Sequence, residues 1–106
     1  MNLRILLIDD HTLFRVGLEG LLTRRSIDVV ASIGDGQEGL RSAQRLDPDI
    51  VLLDMRMPDI DGIGVLKKLR ESGFQKPIVM LTTSTDERDL VESLRNGAQG
   101  YLLKDM

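Results

Sequence analysis

Three aspartates and one lysine carry most of the chemistry available to this sequence, and each stands immediately after a short apolar run. Asp9 and Asp10 follow Ile5-Leu6-Leu7-Ile8, Asp54 follows Val51-Leu52-Leu53, and Lys104 follows Tyr101-Leu102-Leu103. A fourth run, Ile78-Val79-Met80-Leu81, leads into Thr82-Thr83-Ser84. A single Asp after a strand is ordinary, because it caps the next helix or opens a turn. The adjacent pair Asp9 and Asp10 cannot both cap one helix. Two carboxylates about 4 Å apart repel by about 4 kcal/mol at an effective dielectric near 20. Such a cluster must raise its pKa values or bind a cation. All-oxygen donors with few protein ligands suit Mg2+ better than zinc. A divalent cation and an ammonium together neutralise a transferring phosphoryl group while a carboxylate attacks in line. Asp54, alone at its run, is the candidate attacker, and Asp9 and Asp10 are the candidate metal holders. Thr82 could donate its hydroxyl to a phosphoryl oxygen and Lys104 could pair with another.

The elements that must position these groups are legible in the hydrophobic pattern. The runs Ile5-Leu6-Leu7-Ile8, Val51-Leu52-Leu53 and Ile78-Val79-Met80-Leu81 have no polar face, as expected of strands buried on both sides, and Tyr101-Leu102-Leu103 reads as a short strand near the end. Val29 to Ile33 reads as a weaker strand that delivers no such polar group at its end. Between the strands lie segments of helical spacing. Leu13 to Leu22 places Phe14, Leu18, Leu21 and Leu22 on one broad apolar face. Asp35-Gly36-Gln37-Glu38 has the form of a capping box opening a helix through Leu46, with Pro48 beyond it. Asp61 can cap a third helix with Ile63, Leu66 and Leu69 inward, ending near Gly73. Ser84-Thr85-Asp86-Glu87 reads as a second capping box, and Asn96-Gly97 as the stop of the helix it opens. Alternating strands and helices imply an α/β protein with a mostly parallel sheet, right-handed crossovers and helices on both faces. In such a sheet, ligands bind beyond the carboxyl ends of the strands, where these polar residues fall.

Composition narrows the classes. A length of 106 residues fits one domain spanning 1–106. Cys is absent and His occurs once, which removes disulfides, thiolate metal sites and a His-based zinc cage. A net charge of −3 disfavours holding nucleic acid by its phosphates. No apolar stretch approaches the roughly 20 residues needed to span a membrane, so a soluble, cytoplasmic protein is expected.

The pieces Leu7-Ile8-Asp9-Asp10-His11, Leu53-Asp54-Met55-Arg56-Met57-Pro58 with Asp61-Gly62, Leu81-Thr82 and Gly100-Tyr101-Leu102-Leu103-Lys104 occur in this order. Together they resemble the receiver domain of bacterial two-component response regulators, over essentially the whole chain. The Asp-Asp-His start and the Gly-Tyr-Leu-Leu-Lys-Asp ending look like the LuxR-type (NarL-like) branch. The resemblance implies a flavodoxin-like doubly wound sheet of five parallel strands in the order 2-1-3-4-5, here without the family's fifth helix. It implies Asp54 as phosphoacceptor, with Mg2+ ligated by Asp10 directly, by Asp9 largely through water, by Asp54 and by the backbone carbonyl of Arg56. It implies Thr82 as the hydroxyl that swings toward the phosphoryl group, Tyr101 as the aromatic that turns inward with it, and Lys104 as the conserved-type cation. A sensor histidine kinase would be the partner. Homodimerisation on phosphorylation is in question without the fifth helix, and DNA would be reached only through an effector domain that this sequence lacks. Asp105 follows the lysine where many receivers carry a cis-linked proline, and a non-proline cis bond would cost about 3–4 kcal/mol.

Other readings are weaker. Haloacid-dehalogenase-like phosphatases place a second Asp two residues after the nucleophile, where this chain has Arg56. A flavodoxin-type flavin site needs a Ser/Thr/Gly-rich loop after the first strand, and Asp9-Asp10 there would repel the phosphate. A docking module that never meets phosphate has no need of the complete acid set. Met55, Met57 and Met80 read as core or loop filler, Pro58 as a turn former, and Arg24-Arg25 and Lys67-Lys68 as solvated helix faces.

Overall fold

Alternation within the apolar runs decides which side chains face which layer. In the computed structural model, which describes residues 2–104, the runs form β1 (Arg4–Ile8), β2 (Asp28–Ile33), β3 (Ile50–Asp54), β4 (Ile78–Thr82) and β5 (Gly100–Leu103). Between them lie α1 (Thr12–Arg24), α2 (Gly36–Leu46), α3 (Gly62–Glu71) and α4 (Glu87–Arg95). All strand pairs are parallel and the sheet order is β2-β1-β3-β4-β5. The expectation about the peptide after Lys104 falls on Asp105, outside the described residues.

Leu6 and Ile8 of β1, Val51 and Leu53 of β3, and Ile78 and Met80 of β4 share one face. There they pack with Ala43 of α2 and with Ile63, Val65, Leu66 and Leu69 of α3. The intervening Ile5 and Leu7 point the other way, toward the side on which α1 lies against β1 and β2. That side is thinly covered. No residue of α1 is buried, and Leu21, expected inward, is 43% exposed. The apolar stripe of α1 is wider than the contact it makes, since α1 packs mainly on β1 and β2 and leaves Leu52 and Val79 half-buried.

Capping follows the sequence at two helices and departs from it at a third. Asp35 accepts from the Gln37 N–H (2.9 Å) and Asp61 from the Gly64 N–H (2.9 Å). At α4 the cap is Asp86, which accepts from the Arg88 N–H, and not Ser84. The Ser84 hydroxyl oxygen accepts from the Asp86 N–H instead, so serine forms the turn that leads into the cap. A carboxylate holds the positive end of a helix better than a hydroxyl does. Gly62 has a separate reason to lack a side chain: a Cβ there would collide with the carbonyl oxygen of Asp54. Its N–H donates to the Met55 carbonyl (2.8 Å), folding the β3–α3 loop back over the end of β3.

Candidate functional site

Four neighbouring strands, β1, β3, β4 and β5, end together, and their last or next residues meet. Asp9 leaves β1 with its N–H on the Ile33 carbonyl (2.9 Å), and its side chain is fully buried. Oδ1 accepts from the His11 N–H (2.8 Å). Oδ2 lies 2.7 Å from Lys104 Nζ yet accepts no aligned hydrogen bond among the described residues. Asp54 is the final residue of β3 and is also buried, with Oδ1 3.2 Å from the same ammonium. Lys104 reaches both because its own N–H donates to the Thr82 carbonyl (2.8 Å), continuing the β4–β5 ladder by one rung. Asp10 stands exposed at the rim, and one oxygen from each of Asp9, Asp10 and Asp54 lies within 4.8 Å of the others.

Electrostatics at this edge are unbalanced. Burial pushes the Asp54 carboxyl up to about 7, the neighbouring Asp9 charge adds to the rise, and Lys104 opposes it. One ammonium therefore serves the two buried carboxyl groups, with the Asp10 carboxyl clustered beside them at the rim. The opening above them, about 360 Å³, is lined by Asp10, His11, Asp54, Arg56, Thr82, Thr83 and Lys104. Clustered oxygen donors, one of them buried without an aligned donor, fit a hard divalent cation, and the acidic cluster is of the kind that holds Mg2+ in receiver domains.

Of the residues expected from sequence, Asp9, Asp10, Asp54, Arg56, Thr82 and Lys104 converge here, while Tyr101 stands one step back. The Arg56 guanidinium is turned outward onto Asp89 of α4 at 3.0 Å. Thr82 is buried, and its hydroxyl oxygen accepts from the Ser84 N–H (2.9 Å). Tyr101 is half-buried against the core and donates its hydroxyl to the Ser84 carbonyl (3.3 Å). Ser84 thus links the two.

Two contributors were not visible in the sequence. The Phe14 ring of α1 lies with its centroid 4.8 Å from Lys104 Nζ. Its place in an apolar helix pattern signals only packing. Asp59 accepts from the Gly36 and Gln37 N–H groups (3.2 and 2.9 Å), pinning the β3–α3 loop to the start of α2. A hydrogen bond shared with the Asp35 carboxyl, together with these backbone donors, holds Asp59 well below the usual carboxylate range.

The strand order turns back beside β1, and the acidic crevice opens at that point, where doubly wound sheets place their ligands. Fold and site together define a flavodoxin-like, CheY-like α/β protein. The family model "Response regulator receiver domain" matches residues 5–106. The chain is 46% identical over 103 residues to the nitrate/nitrite response regulator protein NarL of Escherichia coli K12, covering 96% of this chain and 48% of that one. It is 43% identical over 105 residues to the transcriptional regulatory protein LnrK of Bacillus subtilis, covering 98% and 48%. A receiver domain from Mycobacterium tuberculosis, described as that of a response regulator NarL, superposes with a TM-score of 0.93 at 33% identity, covering 99% and 86%. A LuxR-family two-component response regulator from Aurantimonas sp. gives 0.91 at 31%, covering 98% and 75%.

This chain belongs to the response regulator receiver domain family, signalling phosphoacceptors of two-component systems rather than conventional enzymes. It spans about half the length of the curated relatives it matches. Among the described residues no helix is long and apolar enough to cross a membrane.

Proposed function

We propose that Asp54 accepts a phosphoryl group from the phosphohistidine of a sensor kinase, in a Mg2+-dependent reaction that switches the domain and so controls transcription. The observation that carries this reading is the clustering of Asp9, Asp10 and Asp54, with the Lys104 ammonium set against Asp9 and Asp54. An Asp54 oxygen forms the new bond to phosphorus as the bond from phosphorus to the donor nitrogen breaks. The electron pair leaves with the imidazole. Attack needs the ionised carboxylate, and an Asp54 pKa near 7 leaves it only partly ionised at neutral pH until more positive charge arrives. Mg2+, when bound, supplies that charge to the acceptor and to the phosphoryl oxygens. Asp10 would hold it directly, Asp9 largely through water, and the Asp54 carboxylate and the Arg56 carbonyl would complete the protein's share.

Lys104 then pairs with a phosphoryl oxygen, compensating charge without moving far from Asp9. Thr82 is suited to follow. Its oxygen is occupied as an acceptor from Ser84, which leaves its own hydrogen free to donate to the new anion. A shift of Thr82 loosens Ser84, and through the Ser84 carbonyl it loosens the Tyr101 hydroxyl. An almost complete switch calls for about 5.5 kcal/mol of differential stabilisation between the two states. The relatives' printed names support transcriptional control as the output, which would be exerted through a DNA-binding region outside the matched half. Arg56 in place of an acid two residues after Asp54 speaks against turnover of external phosphoesters.

Intact mass after incubation with acetyl phosphate tests the reading. The expected result is one added phosphoryl group, dependent on Mg2+ and absent in Asp54→Asn. Labelling that persists in Asp54→Asn moves the acceptor elsewhere. No labelling, together with no Mg2+-dependent binding of beryllofluoride, overturns the reading.

A further inference from the structure

The Lys104 ammonium has three N–H donors, and two of its directions are taken by Asp9 Oδ2 (2.7 Å) and Asp54 Oδ1 (3.2 Å). Its side chain is only 7% exposed, so bulk water does not supply the rest of its surroundings. The Phe14 ring does, with its centroid 4.8 Å from Nζ. We infer that Phe14 is a positioning residue for Lys104, holding the ammonium over the face of its ring while the ammonium's partner changes from the Asp54 carboxylate to a phosphoryl oxygen. The inference rests on the reading of Asp54 as acceptor.

The physical argument turns on what kind of contact a ring makes. A carboxylate grips an ammonium through directional hydrogen bonds, and moving the ammonium breaks them. The negative face of an aromatic ring attracts the same charge with little directional demand. An ammonium held by both can exchange one oxygen partner for another without losing its third contact. Lysine needs such a support, because its charge rides on a flexible four-carbon stem. Helix docking does not account for the position of Phe14. No residue of α1 is buried, and its neighbours Leu13 and Val16 are 82% and 58% exposed. The ring is among the better covered side chains of a loosely covered helix, and what it meets is the cation of the site.

Two measurements on the full chain test this, each applied to wild type, Phe14→Leu and Phe14→Tyr. The first is the NMR shift of the Lys104 side-chain signals, which a ring face moves upfield whether or not the protein is phosphorylated. The upfield shift is expected in wild type and Phe14→Tyr and lost in Phe14→Leu; its absence in wild type overturns the inference. The second is the initial rate of Mg2+-dependent labelling by acetyl phosphate. Phe14→Leu should lower the maximal rate about tenfold, with the acetyl phosphate concentration for half-maximal rate, the Mg2+ affinity and the thermal midpoint near wild type. Phe14→Tyr should restore the rate. Equal rates in all three, or equal losses in Leu and Tyr with a fallen thermal midpoint, overturn the positioning role. If wild type shows the NMR signature but takes no label, the acceptor reading fails, and with it the role of Phe14 in transfer, while the ring contact stands.

Discussion

The two ends of the sheet carry the same kinds of polar residue and use them in opposite ways. At the amino end, the Arg4 guanidinium donates to the Leu46 and Asp47 carbonyls (2.9 and 3.0 Å), and its N–H donates to Asp49. Arg70 is filled more completely, donating to the Phe74, Lys76 and Gly97 carbonyls and to Gln99 Oε1 at 2.7 to 3.0 Å. Gln99 Oε1 accepts from the Ile78 N–H as well. Both arginines close the fold by satisfying chain ends that strands and helices leave open. At the carboxyl end, Asp9 and Asp54 share one ammonium with Asp10 clustered beside them, and Asp9 Oδ2 accepts no aligned hydrogen bond among the described residues. Saturated polar groups hold a structure; unsaturated ones are available to a ligand.

This contrast is open to attack at both ends. The largest effect is expected for Asp10→Ala, which should weaken Mg2+ about a hundredfold, equivalent to about 2.7 kcal/mol. Calorimetric titration reads it, and an unchanged affinity would place the cation away from this edge. At the other end, Arg70→Met strips several carbonyl oxygens of their donor and should cost about 2 kcal/mol in urea denaturation. Mg2+ affinity should stay as in wild type; a parallel loss of affinity would mean that the two ends are not separate.

A subtler test uses protons. The Asp54 carboxyl has a folded-state pKa near 7 against an ordinary value of 3.8, so between these values the folded state holds a proton that the unfolded chain has released. Its contribution to the stability of the metal-free protein is fully present below about pH 4. It is lost as pH rises toward 7 and is constant above. Denaturation midpoints of wild type minus those of Asp54→Asn should trace this fall, and a flat difference would show that burial does not strain the carboxyl. The smallest effect is expected on the surface. Arg88 pairs with Asp86 at 2.7 Å, but Arg88 is 90% exposed, and Arg88→Ala should leave the thermal midpoint where it is.

The strands were legible because a parallel sheet covered on both faces needs unbroken apolar runs, and the site because its polar residues directly follow those runs. The runs understate the strands by a residue at the site end. Asp54 and Thr82 are the last paired residues of β3 and β4, where polarity hides continued pairing. At α4, Ser84 and Asp86 are both good cap formers two positions apart, and only the path of the chain decides between them. The pattern of α1 specified which residues turn toward the sheet but not how much sheet lies opposite, which is why Leu21 remains exposed. Phe14 and Asp59 had no local signal. One acquires its role from a lysine at the far end of the chain, the other from a helix that starts well before it.

The main-chain bond from Lys104 to the Thr82 carbonyl has a consequence for what the domain can report. It acts as a rivet between two neighbouring strand ends, one bearing the hydroxyl and the other the ammonium. With Tyr101 on the same β5 ribbon and tied to Ser84, a tug on either strand end travels to all of these groups at once. If the domain switches as proposed, these groups are tied to answer together, as one on-or-off response and not a graded sum of independent signals.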